Sequence, residues 1–137
     1  MAFQYSTAVR NATLDPIETV IGTSPRLYLY TGSAPANCAA AATGTLLNSL
    51  TYSLPSDWLA AAASGTKSIS GSPWAIAGSV AGTAGYFRIL DSTGTTVGMQ
   101  GTVTATGGGG DMTLDSVSIG VNQVCTITAF TLTAGGA

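Results

Sequence analysis

Histidine is absent from this chain of 137 residues. Its absence removes the commonest general base and the commonest metal ligand, so neither a Ser-His-Asp triad nor a Cys-His pair can be built. Charge is nearly as scarce. Four Lys/Arg and six Asp/Glu make up 7% of the chain and leave a net charge of −2, where ordinary domains carry roughly 25% charged residues. The cations Arg10, Arg26, Lys67 and Arg88 are scattered. No basic stripe exists to neutralise phosphates, so no nucleic-acid partner is expected. Only two cysteines are present, Cys38 and Cys125, distant and without metal-ligand spacing; they read as small apolar residues rather than a metal pair. A disulfide between them would need an oxidising compartment, which cytosolic synthesis does not offer. Long apolar runs are missing too. Ala39–Ala42 and Ala60–Ala63 are far too short to span a bilayer. The opening Met1-Ala2-Phe3-Gln4-Tyr5-Ser6 lacks the charged and apolar regions of a secretory signal. Synthesis in the cytoplasm without a membrane partner is the expectation.

What remains is a hydroxyl-rich chain with 18 glycines and an apolar fraction of 45%, much of it alanine. The length suits one domain with its own core. A nearly uncharged surface has few charges to desolvate on contact, so it tolerates dense packing against neighbours. That balance points to a subunit of a larger assembly and to a homo-oligomer.

The first stretch is the only helical one. Val9, Thr13, Ile17, Val20 and Ile21 fall on one face, Ser6 is a suitable N-cap, and Gly22 a suitable stop. Pro16 interrupts the pattern. Asp15-Pro16-Ile17-Glu18 reads as a cap followed by proline at the first helical position, so two short helices meeting at Asp15, or one kinked helix, are both consistent. After Pro25 the pattern becomes that of strands. Arg26–Thr31 alternates, and Thr45–Leu54 places Leu46, Leu50, Tyr52 and Leu54 on one parity. Trp58–Ala63 reads as a helical turn capped by Ser56, Ser64–Pro73 as a small-residue loop, and Trp74–Val80 as a strand. Tyr86–Leu90 and Thr96–Thr106 flank the turn Asp91-Ser92-Thr93-Gly94 as a β-hairpin. Gly107–Gly110 reads as a mobile tip or reaching arm. Met112–Leu114 and Val117–Ile119 are short strands separated by a bend. The last strand, Val124–Thr133, changes parity between Ile127 and Phe130. The expected fold is mainly β, a single antiparallel β-sandwich or jelly roll with an N-terminal helix. Its division is a helical segment over residues 1–24 and a β-sandwich over residues 25–137.

Candidates for chemistry are few, and no catalytic, cofactor-binding or metal-ligating residue is assigned; no cofactor is expected. Asp15 and Glu18 read as capping residues, and Asp91 as a turn residue. Asp111 and Asp115 flank Met112-Thr113-Leu114, so alternation could place them on one face, as a carboxylate pair or a weak calcium site would need; turn roles explain both more simply. Gly107-Gly108-Gly109-Gly110-Asp111 lacks the Lys and the helix of a phosphate loop. Trp58 and Trp74 could stack on sugars, but core packing is the commoner use of tryptophan in a small β-domain.

Several blocks resemble a family of small virion structural proteins of tailed bacteriophages, of the decoration or tail-accessory type. They are Phe3-Gln4-Tyr5-Ser6-Thr7-Ala8-Val9-Arg10-Asn11-Ala12 with Leu14-Asp15, Ile17-Glu18-Thr19 and Ile21-Gly22, then Gly82–Ile89 with Asp91–Thr96. Asp111–Asp115 and Phe130–Thr133 close the likeness, which covers most of the chain. Pro16 departs from the pattern, where the family has an ordinary helix former. The resemblance implies a location in the virion after synthesis in the host cytoplasm. It also implies partnership with major capsid or tail subunits and with copies of the same chain. The leading expectation is a capsid decoration (cement) protein that bridges neighbouring subunits. A tail, neck or fibre-base subunit, and a receptor- or glycan-binding head domain, are the alternatives. An enzyme is not expected.

Overall fold

The computed structural model describes residues 3–71 and 73–137. Met1 and Ala2 of the opening segment, and Ser72 of the expected loop, lie outside the described residues. Two short helices open the fold, α1 (Thr7–Leu14) and α2 (Pro16–Ile21). Ser6 caps α1 by accepting the Val9 N–H, and Gly22 ends α2 at φ 98° with its N–H on Glu18 O. Asp15, between the helices, keeps helical backbone angles (φ −58°, ψ −37°). Pro16 then stands in the first turn of α2, where its missing N–H costs nothing. Asp15 makes no side-chain capping bond, so its expected role as a cap is corrected; its carboxylate is used elsewhere.

Eight strands follow: β1 (Arg26–Thr31), β2 (Thr66–Ser68), β3 (Ala75–Ala77), β4 (Gly82–Leu90), β5 (Val97–Ala105), β6 (Met112–Leu114), β7 (Ser118–Ile119) and β8 (Val124–Thr133). They pair in the order β1-β4-β5-β6-β8-β2, with β3 also on β8 and β7 also on β4. The result is a mainly β fold, a sandwich with the helical segment at one end. The β4–β5 hairpin forms around Asp91–Gly94 as the alternation predicts, with Phe87 opposite Gly101 and Ile89 opposite Met99. All ladders are antiparallel but one. β5 and β6 run parallel, Val103 beside Met112 and Ala105 beside Leu114. Parallel neighbours ordinarily need a long crossover. Here the chain doubles back through Thr106–Asp111, and Gly107 (φ 84°) and Gly109 (φ 82°) supply the left-handed angles for that reversal. The glycine run is therefore a compact reversal and not the arm its composition implies. Gly110 N–H donates to Thr104 Oγ1 and Gly108 N–H to Ala105 O.

The parity change in β8 has a local cause. Thr113 pairs with Ala129 but Leu114 with Ile127, which leaves Thr128 as a bulge. Cys125 and Ile127 face the core before it and Phe130 after it. Its hydroxyl lies 2.7 Å from Thr106 Oγ1 and 2.8 Å from Thr113 Oγ1.

Three expectations fail between β1 and β3. Thr45–Leu54 is not a continuous strand; it meets its neighbours through isolated bridges at Leu46, Asn48 and Ser53 and single backbone bonds such as Leu47 N–H to Leu29 O and Leu54 N–H to Pro25 O. Leu47 is buried there and Leu50 is 59% exposed, against the expected parity, while Leu54 is buried and Tyr52 packs against the core as that parity predicts. The cause is Asn48, whose side chain enters the ladder as if it were a peptide group. Its Oδ1 accepts the Leu29 N–H at 2.8 Å and its Nδ2 donates to Leu27 O at 2.8 Å. Trp58–Ala63 is extended rather than helical: Leu59 bridges Ile69, and Ala60 N–H donates to Ser68 O. The segment read as a small-residue loop contains β2, which pairs with the end of β8.

One core holds the molecule together. Leu27, Leu29, Leu47, Trp58, Trp74, Phe87, Ile89, Met112 and Phe130 are part of it, and Ile21 of α2 belongs to the same cluster. Trp58 Nε1 donates to Gly22 O at 3.1 Å. The helical segment is thus packed into the sandwich.

Candidate functional site

The sole lysine is buried. Lys67 is 2% exposed, and its Nζ lies 3.2 Å from Asp15 Oδ1 and 3.3 Å from Glu18 Oε2. The same carboxylates tie down the neighbouring extended segment. Glu18 Oε1 accepts the Leu59 N–H and Asp15 Oδ1 the Ala62 N–H. Asn11 Oδ1 accepts the Gly65 N–H in the same way. One face of the helical pair is therefore a row of acceptors that supplies irregular backbone with the partners it lacks.

Arg88 is the second buried cation, 4% exposed. It sits on the face of β4 opposite Phe87 and Ile89, under the loop that follows β1. Its Nε donates to Gln100 Oε1 and its Nη2 to Ala40 O at 2.8 Å. Tyr86 stacks on Tyr30 with centroids 5.0 Å apart and donates from its hydroxyl to Thr43 O. Burial, and then the Tyr86 ring beside it, raise the Tyr30 phenol above its ordinary value. Arg26 donates to Ser92 O and Leu50 O. Arg10 is half-buried. None of the four cations stands free on the surface.

The acids examined for chemistry do structural work. Asp111 Oδ2 accepts both the N–H and the hydroxyl of Thr102, at 2.9 and 3.0 Å. Asp115 Oδ1 accepts the Thr126 N–H at 3.0 Å. Each carboxylate replaces a strand carbonyl beyond an end of β6. Among the described residues no group of three His, Cys, Asp or Glu side chains is placed to hold a metal. Cys38 is half-buried and Cys125 buried, both as free thiols; burial, with Asp115 nearby, pushes the Cys125 thiol up. Trp58 and Trp74 are 0% and 2% exposed, with ring centroids 6.2 Å apart, so neither can stack on a sugar.

Asp91 has a measurable role. Its carboxyl is held below its ordinary value of 3.8 by the Thr95 N–H and then the Thr93 hydroxyl, and Asp15 is lowered by the Ala62 N–H and then by Lys67. Groups with a depressed folded-state pKa stabilise the fold above the unfolded value and lose that contribution as pH falls through the folded one. We expect stability to be flat from neutral pH to about 5 and to fall below about 4. Asp91→Asn should flatten part of that acid limb, as read by urea unfolding at stepped pH. An unchanged slope would refute the assignment.

An apolar cleft of about 810 Å3 lies between α2 and the sheet. Ile17 and Ile21 line one side of it, and Phe87, Met99, Phe130 and Leu132 the other. Nothing in the sequence marked it, because its walls come from α2, β4, β5 and β8, distant in the chain. The nearest signal was the shortness of β6, which leaves β5 and β8 without a strand between them below Met112.

Fold and surface together define a small β-sandwich closed by a helical pair, with its cations drawn inward and most of its carboxylates left at the surface. No family model, no curated protein and no solved structure matches the chain. No helix among the described residues is long and apolar enough to cross a membrane.

Proposed function

We propose that this protein is a structural subunit of a tailed-bacteriophage particle, a decoration protein bound in many copies on the head, where it bridges neighbouring subunits. The observation that carries the reading is the fate of the cations. Lys67 and Arg88 are buried, and Arg26 is spent on backbone carbonyls. What faces solvent is mostly threonine, serine, alanine and glycine, with the carboxylates Asp15, Asp57, Asp111 and Asp115 and the exposed apolar side chains Phe3, Val20, Leu50, Val121 and Val124. Such a surface meets another protein with few charges and no exposed ammonium group to desolvate, and weak contacts repeated over a shell gain strength from avidity. The sequence resemblance set out above supplies the phage assignment. A glycan-binding reading based on Trp58 or Trp74 is withdrawn, since both lie in the core.

The test is copy number. The protein should co-sediment with intact particles at hundreds of copies and be released by mild denaturation. Six or twelve copies per particle would move it to the neck or baseplate. Recovery only as free protein in the lysate would sink the proposal.

A further inference from the structure

The cleft beside α2 has the form of a missing strand. β5 and β8 lie on the two edges of β6, so they stand two strand spacings apart, about 9–10 Å. β6 begins at Met112, level with Val103 and Phe130. Before that level the chain turns away into the glycine reversal, while β5 and β8 continue. Their edges are directed into the gap. The Thr102 N–H points out of β5 to Asp111, and alternation turns the peptide group of Gln100 the same way, short of the β4–β5 register shift at Gly98. On β8 the Ala134 N–H points to Gly65 on the β2 side, and alternation turns those of Thr131 and Thr133 toward the cleft. Among the described residues no strand pairs with Gln100, Thr131 or Thr133 on the cleft side, since the β6 ladders begin at Val103 and Phe130. Two opposed strand edges over an apolar floor recognise one kind of ligand, an extended polypeptide whose alternate side chains point down.

We infer that this slot receives the N-terminal arm, Phe3–Tyr5, of a second copy of the chain. The arm belongs to no helix or strand and precedes the Ser6 cap, whose backbone is extended. Its aromatic side chains stand two residues apart, on one parity, and are 76% and 45% exposed. It carries no charge, as does the floor formed by Ile17, Met99, Phe130 and Leu132. In its own subunit the arm lies outside the slot, held by the Tyr5 N–H on Gly136 O and by an edge-on contact between Phe3 and Tyr5. Arm into slot is a head-to-tail contact, which propagates into rings or rows of copies rather than stopping at a dimer. The inference names the self-contact of the assembly reading and rests on that reading for its purpose.

The test uses two populations of the full chain with different tags, both in a Cys38→Ser background. One carries Gln4→Cys and the other Thr131→Cys. A short thiol crosslinker should join one tag to the other, and sedimentation should show association that weakens at least tenfold in Phe3→Ser/Tyr5→Ser. That variant alters exposed side chains and should melt as the parent does. Thr131→Pro, which removes a slot-facing N–H and leaves the Leu132 and Ala134 pairs to β2 in place, should weaken association equally. A parent that stays monomeric, no crosslink between the two tags, or undiminished association of both variants would each overturn the inference. Particles that retain Phe3→Ser/Tyr5→Ser at full copy number would overturn it while leaving the virion assignment intact. Arm-dependent association of a protein absent from particles would do the opposite.

Discussion

Lys67→Ala should cost about 3–4 kcal/mol of folding stability. The side chain is almost fully buried, so truncation leaves a cavity of the kind that costs roughly 2–5 kcal/mol for a long side chain. It also removes the partner of both Asp15 and Glu18. Lys67→Met separates the two contributions. It refills the cavity and removes the desolvation penalty of the ammonium group. The carboxylates left behind are not stranded, because their side chains are 53% and 28% exposed and can take up water. Replacing a buried ion pair by an apolar side chain is often close to neutral, so Lys67→Met should lie within roughly 1 kcal/mol of the parent. Urea midpoints at neutral pH measure both. Equal losses in the two variants would show that charge, not packing, makes this residue matter.

Asn48→Ala should lose about 2–4 kcal/mol, because it leaves Leu27 O and Leu29 N–H buried with no partner, the expensive way to lose a hydrogen bond. The size of the residue is secondary. Asn48→Asp keeps nearly the same shape and should be at least as damaging, since a carboxylate cannot donate to Leu27 O. Amide exchange at Leu29 should accelerate in both variants. Exchange that stays at the parent rate, with a loss under about 0.5 kcal/mol, would mean that water replaces the amide.

These two residues also show where sequence reading stops. The β4–β5 hairpin was legible because a turn with Asp first and Gly last sits between alternating runs. The helix pair was legible because Ser6, Pro16 and Gly22 punctuate it. The parity change in β8 was visible before its cause, the Thr128 bulge, was known. By contrast, Thr45–Ala63 misled because its hydrogen bonds run to side chains. Asn48 completes a ladder edge, Glu18 and Asp15 complete the backbone at Leu59 and Ala62, and periodicity carries no trace of such partners. Lys67 was read within a small-residue loop, since a lone lysine among serines and threonines resembles a solvated turn until its two carboxylates, more than forty residues away, are brought to it. The slot beside α2 was illegible for a similar reason: it is defined by where β6 stops short.

The inward placement of the cations has a chemical consequence. Lys67 is the single lysine, and its amine is enclosed. Amine-directed labels and crosslinkers should therefore leave Lys67 unmodified on the folded chain. The four bonds that a trypsin-like protease could cut follow Arg10 and Lys67, both anchored in the helix–sheet junction, and Arg26 and Arg88, both within strands of the sheet. A coat made of this protein would resist trypsin-like cleavage and amine-directed electrophiles.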